Sequence, residues 1–114
     1  MEKVKLQAQY GLYINGQWRD ASDGATYNAE SPADGSHLAV CAQGTREDVE
    51  AASAAAWEAF KTWKKTTPAQ RAALLNKIAD IIDANKEHLA MVESMDNGKP
   101  IRETMNVDIP MAAE

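Results

Sequence analysis

Cys41, His37, His88, Asp96 and Lys99 are the residues of this 114-residue chain whose side chains could do chemistry. A thiolate attacks carbonyls readily only where a cation or helix N-terminus lowers the thiol pKa. Cys41 sits between Val40 and Ala42, with no Lys or Arg beside it. It reads as a packed structural thiol behaving like a small hydrophobe. His37 and His88 are far apart, and neither has a His or Cys at zinc-ligand spacing. Both read as surface or capping residues. Lys99 could meet a phosphate, yet a solvated lysine beside a helix end is the simpler reading. Arg71 and Arg102 read as members of surface or inter-helix ion pairs. No Gly-x-Gly turn of a dinucleotide site occurs anywhere in the chain.

The elements that would position these residues fall into two stretches. Residues 1–11 form an N-terminal arm that reads as loosely held. Leu12 to Trp18 then gives two strand pieces around Asn15-Gly16, a dipeptide suited to the positive φ angles of a tight hairpin. Ser31-Pro32-Ala33-Asp34-Gly35 supplies a later turn, and His37 to Ala42 a strand with Leu38 and Val40 on one face. This first third reads as short antiparallel ribbons. Four helices follow. Thr45 caps the first, with Glu47 and Asp48 in its opening turn. Val49, Ala52, Ala56, Phe60 and Trp63 recur on one face of it. Thr67, Pro68 and Gln70 make a capping-box start for the second, striped by Leu74, Leu75, Ile78, Ile81 and Ile82. The third ends at Asn97-Gly98. The fourth runs from Pro100 through Ile101, Met105 and Ile109, and Pro110 should kink or interrupt it.

Composition narrows the function classes. The net charge of −5 is spread without basic clusters, which excludes the phosphate neutralisation that nucleic-acid binding relies on. No run reaches the ~20 apolar residues that span a bilayer. The N-terminus lacks a signal peptide's apolar core. A single cysteine cannot form an internal disulfide, and cytoplasmic is the default location.

Taken in order, the motifs form a recognisable series. Ile14-Asn15-Gly16-Gln17-Trp18 is followed by Ser31 to Gly35 and by Asp48-Val49-Glu50 opening an alanine-rich helix. Pro68, Arg71, Ala72, Leu74 and Leu75 start the next helix. Asp96-Asn97-Gly98-Lys99-Pro100 and Asp108-Ile109-Pro110 close the series. Over residues 12–114 this succession resembles the N-terminal part of the NAD(P)-dependent aldehyde dehydrogenase superfamily. The ending Asp96 to Thr104, with Asp108-Ile109-Pro110, is most similar to bacterial acetaldehyde-type members.

The resemblance implies an α/β, Rossmann-like parent enzyme. This segment would contribute an α+β part, short antiparallel strands and about four helices, to a truncated cofactor-binding domain over 12–114. The parent would oxidise an aldehyde to a carboxylic acid with NAD or NADP, through a cysteine thiolate, a thiohemiacetal and a thioester. The family's catalytic and dinucleotide-binding residues lie beyond Glu114. The resemblance therefore assigns no catalytic and no cofactor-binding residue here. It does imply a structural monovalent cation, held by the carbonyls of Ala29 and Glu30 and the carboxylate of Asp96, an oxygen-only set suited to a hard ion. Ser31 stands where Asn is commoner in the family. The chain's partners would be the rest of the same polypeptide or homologous subunits, with the aldehyde as substrate of the full-length enzyme. Two other classes compete: a free-standing module that pairs with a full-length subunit, and a small enzyme using Cys41.

Overall fold

Asn15 and Gly16 both have positive φ, 52° and 75°, and reverse the chain between Ile14 and Gln17 in a two-residue turn. A computed structural model describes residues 4–114; residues 1–3 of the expected arm lie outside it. The strands are β1 (Gln9–Tyr10), β2 (Leu12–Ile14), β3 (Gln17–Arg19), β4 (Thr26–Glu30) and β5 (His37–Ala42). The helices are α1 (Arg46–Trp63), α2 (Pro68–Ala84), α3 (Lys86–Asn97), α4 (Ile101–Glu103) and α5 (Ile109–Ala113), with a π-turn at Thr104–Asp108. These elements group into two compact units. One comprises Gln7–Ala29 and Ala39–Thr66; the other comprises residues 4–6, Glu30–Leu38 and Thr67–Glu114.

In the first unit, β2 and β3 pair antiparallel, placing Tyr13 opposite Trp18 and Leu12 opposite Arg19. The two rings meet at 4.9 Å between centroids, a tilted cross-strand contact. A separate sheet has the order β1-β5-β4. Its β1–β5 pair is parallel, with Gln9 opposite Val40 and Tyr10 opposite Cys41. That differs from the sequence expectation of antiparallel ribbons behind a loose arm. The physical reason is a ladder contact that local pattern does not encode: Val40 N–H donates to the Ala8 carbonyl at 3.0 Å. Ala39 is buried on β5, opposite in phase to the expected Leu38 and Val40 face.

α1 starts where Thr45 was expected to cap it, with a full capping box formed by Asp48. Its expected apolar stripe is uncovered. Of that stripe Val49, Phe60 and Trp63 are exposed, Val49 at 63%, and Trp57, which lies outside it, is exposed too.

In the second unit, Thr67 and Gln70 form the capping box of α2, and Pro68 takes the first helical position. No residue of α2 is buried. α3 buries Ala90 and Met91 and ends at Gly98, whose φ of 82° is the left-handed C-cap conformation.

The interruption expected near Pro110 takes a specific form. Pro110 has no N–H to donate to the carbonyl of Asn106, and its ring would crowd that carbonyl in a regular helix. The turn before it widens into the π form, with Ile109 N–H donating to the Thr104 carbonyl. Thr104 is fully buried within this turn. Its hydroxyl lies 2.8 Å from that of Ser94 and 3.2 Å from the Ile101 carbonyl.

Candidate functional site

Asp48 carries the most heavily bonded side chain in the first unit. Its carboxylate accepts from Arg19 Nη2 at 2.8 Å, from Ser22 N–H at 3.1 Å and from Thr45 N–H at 2.9 Å. The Thr45 hydroxyl adds a contact at 3.0 Å. The two backbone donors, Thr45 and Ser22, stabilise the charged form, and the Thr45 hydroxyl and the Arg19 charge reinforce them. Together they outweigh burial and hold the carboxyl near a pKa of about 2. This buried carboxylate ties the start of α1 to β3 and to the turn after it. Chemically it is a strut, since every lone pair faces a donor. The Thr45-x-x-Asp48 spacing announces the capping half of this arrangement; nothing in sequence announces Arg19.

In the second unit, the Asp96–Pro100 motif is a helix ending. Gly98 N–H donates to the Ser94 carbonyl at 3.0 Å. A Cβ at Gly98 would come within 2.8 Å of the Pro32 ring, so the two turns of the motif series meet here. Lys99 is exposed beside the end of α3, and it is also ion-paired. Its Nζ lies 2.8 Å from Asp108 Oδ1 and 2.7 Å from Oδ2. Oδ1 takes the hydrogen bond, while the buried Oδ2 is held by charge alone. The Asp108 bond, followed by that residue's charge, raises the Lys99 pKa above its usual value against the opposing effect of burial. Arg102 pairs with its neighbour Glu103 at 2.9 Å, a surface ion pair.

The residues singled out from sequence lie on several elements. Ala29 is half-buried near the end of β4 in the first unit. Glu30 and Asp96 belong to the second unit, both exposed, with Asp96 in the last turn of α3. Cys41 is half-buried on β5 and is a free thiol. His37 and His88 are exposed. Among the described residues, no group of three or more His, Cys, Asp or Glu is arranged to hold a metal. No helix of the described residues is long and apolar enough to cross a membrane.

Two concave surfaces of the first unit are largely apolar. One of about 280 Å³ is lined by Ser53, Ala56, Trp57 and Phe60 of α1. Another of about 360 Å³ lies between the hairpin residues 13–16 and the alanines of α1. Neither brings together a nucleophile, a base and an oxyanion donor, which acyl or hydride chemistry would need.

The succession of elements in this chain corresponds to a known enzyme family. The aldehyde dehydrogenase family model matches residues 18–114. The long-chain-aldehyde dehydrogenase of Acinetobacter sp is 43% identical over 112 residues, which cover 98% of this chain and 22% of that protein. The EPTC-inducible aldehyde dehydrogenase of Rhodococcus erythropolis is 42% identical over 111 residues, 97% of this chain and 22% of that one. Among solved structures, PnpE in complex with nicotinamide adenine dinucleotide superposes with a TM-score of 0.89 at 42% identity, over 92% of this chain and 22% of that one. A 3,6-anhydro-L-galactose dehydrogenase bound to NADP gives 0.88 at 33% identity, with the same coverage. The chain belongs to the aldehyde dehydrogenase family and corresponds to an N-terminal segment of its members. It spans about a fifth of the length of the relatives it matches, at 22%.

Proposed function

We propose that this segment serves as the N-terminal scaffold of an NAD(P)-dependent aldehyde dehydrogenase and is catalytically silent by itself. The full-length enzyme would oxidise an aldehyde to a carboxylic acid in the cytoplasm, its chemistry carried by residues outside this segment. The observation that carries this reading is the uncovered apolar surface of α1 and α2, with Leu75 at 64% exposure, on a chain that spans only 22% of its relatives. Such faces suit burial against the remainder of a dehydrogenase subunit. The test is a spectrophotometric assay of the chain with aldehydes and NAD or NADP. No reduced nicotinamide should accumulate. Accumulation that Cys41→Ser abolishes would overturn the scaffold reading in favour of a small cysteine enzyme.

The same exposed faces favour a second reading, a module that pairs with a full-length homologous subunit and alters its assembly. Light scattering of a mixture with such an enzyme discriminates. An unchanged assembly mass removes this alternative.

We also propose, from the resemblance, that Asp96 supplies the carboxylate of a structural monovalent cation, with the carbonyls of Ala29 and Glu30 as further donors. The donor chemistry fits: all three are oxygens, and Asp96 is exposed at the C-terminal end of α3. In the full-length enzyme, potassium or sodium should raise the melting temperature relative to a bulky organic cation, and Asp96→Ala should remove that gain. An equal gain in the variant counts against the site.

A further inference from the structure

The chain contains two Asn-Gly sequences, Asn15-Gly16 and Asn97-Gly98, and the structure treats them very differently. Asparagine followed by glycine is the dipeptide most open to spontaneous deamidation, because no Cβ hinders attack by the glycine nitrogen. Both asparagines are exposed. What separates them is the state of that nitrogen and the freedom of the backbone around it. Gly98 N–H is engaged, donating to the Ser94 carbonyl at 3.0 Å, and Gly98 is wedged against Pro32. Asn97 is the last residue of α3, the helix that carries the buried Ala90 and Met91. Reaching the geometry for attack there requires unwinding a packed helix end.

Gly16 N–H, by contrast, donates to no protein acceptor among the described residues, and a Cβ at Gly16 would meet nothing within 4 Å. Asn15 is the only non-glycine residue with positive φ among those described, held at 52°. Opening the turn relieves that conformation. The hairpin itself is a two-stranded ribbon whose β3 is exposed throughout, the kind of element that opens at low cost.

We propose that Asn15 is a spontaneous modification site of this chain, converting to aspartyl and isoaspartyl forms, while Asn97 is protected by its helix cap. In the first step Gly16 nitrogen loses its proton to solvent base and bonds to Asn15 Cγ. The Cγ–Nδ2 bond then breaks, and ammonia leaves after taking up a proton. Water next opens the resulting succinimide at either carbonyl, with no net oxidation or reduction. The product places a new carboxylate on the rim of the groove between the hairpin and α1. In the isoaspartyl form it also adds a backbone methylene to a turn whose register pairs Ile14 with Gln17. The conversion thereby ages the hairpin that presents Trp18 and Arg19.

The experiment incubates the intact chain at mildly alkaline pH, with circular dichroism confirming fold, then quantifies both peptides by proteolysis and mass spectrometry. A parallel sample is kept in concentrated urea. In the folded sample the Asn15 peptide should convert several-fold faster than the Asn97 peptide, and in urea the two rates should converge. Asn15→Gln should remove the fast conversion. Equal rates in the folded sample would overturn the proposal, as would no conversion of Asn15. A lead for Asn15 that persists undiminished in urea would also sink it, because sequence rather than structure would then be the cause.

Discussion

Asp48 shows what one side chain does when its donors come from three directions. Arg19, 29 residues away, Ser22 and Thr45 all bond the same carboxylate. Its pKa is depressed from 3.8 to about 2, so the folded state binds this proton less readily than the unfolded chain does. The stabilisation is therefore present above the unfolded value and is lost as pH falls through the folded one. Unfolding free energy should decline between about pH 4 and pH 2, measured by urea titration at a series of acid pH values. In Asp48→Asn the decline over that window should flatten, and the variant should melt lower at neutral pH. An unchanged acid slope would refute the strut. The helix-capping half of this role was legible in the sequence, because Thr and Asp three apart are a local signal. The contact to Arg19 was not, because a single arginine in a ribbon carries no sign of which distant acid it will meet. Lys99 teaches the same lesson: it is exposed as its neighbours suggested, but they gave no sign of its pairing with Asp108 nine residues on.

Elements whose boundaries depend on local stereochemistry were read correctly from sequence. Thr45 and Thr67 start helices, Gly98 ends one, and Asn15-Gly16 turns a hairpin. Elements that depend on partners were not. The parallel strand at Gln9–Tyr10 exists only because β5 lies alongside it, and the π-turn before Pro110 was expected only as an unspecified break. Two glycines separate backbone conformation from packing. At Gly16 an added methyl has open space and meets only the left-handed φ of 75°. Gly16→Ala should cost about 1 kcal/mol in unfolding free energy. Gly98 has a similar φ of 82°, but the methyl would also press on the Pro32 ring at 2.8 Å. Gly98→Ala should cost about 2 kcal/mol or more, since the proline ring cannot swing aside. Denaturant unfolding of both variants decides the matter, and equal losses would show that the α3 end and the turn at Pro32 do not share a packed contact.

At the scale of the molecule, the buried apolar set is small: Ala21, Ala39, Ala90 and Met91. The larger apolar side chains, among them Leu74, Leu75, Ile78 and Ile81 on α2, are exposed instead. Periodicity placed those residues on one face correctly, yet a helical stripe records only that a face is covered, not by which atoms. Under the scaffold reading, the covering atoms belong to the longer chain that the relatives carry, of which this segment spans 22%. Two kinds of substitution should therefore behave oppositely. Met91→Ala removes atoms from the interior, at 8% exposure, and should cost about 2–5 kcal/mol. Replacing Leu75 and Ile78 together by lysine touches surface that is open in this chain, and should change its unfolding free energy little. It should, however, reduce the binding of a hydrophobic dye and any concentration-dependent association seen in sedimentation, both of which report exposed apolar surface. Placed in a full-length dehydrogenase, the same pair should impair folding, because there the lysines would enter a buried contact. Should the lysine pair destabilise the isolated chain as severely as Met91→Ala, the α2 face would be a core of this segment itself, and its role as a docking face for the rest of the enzyme would have to be given up.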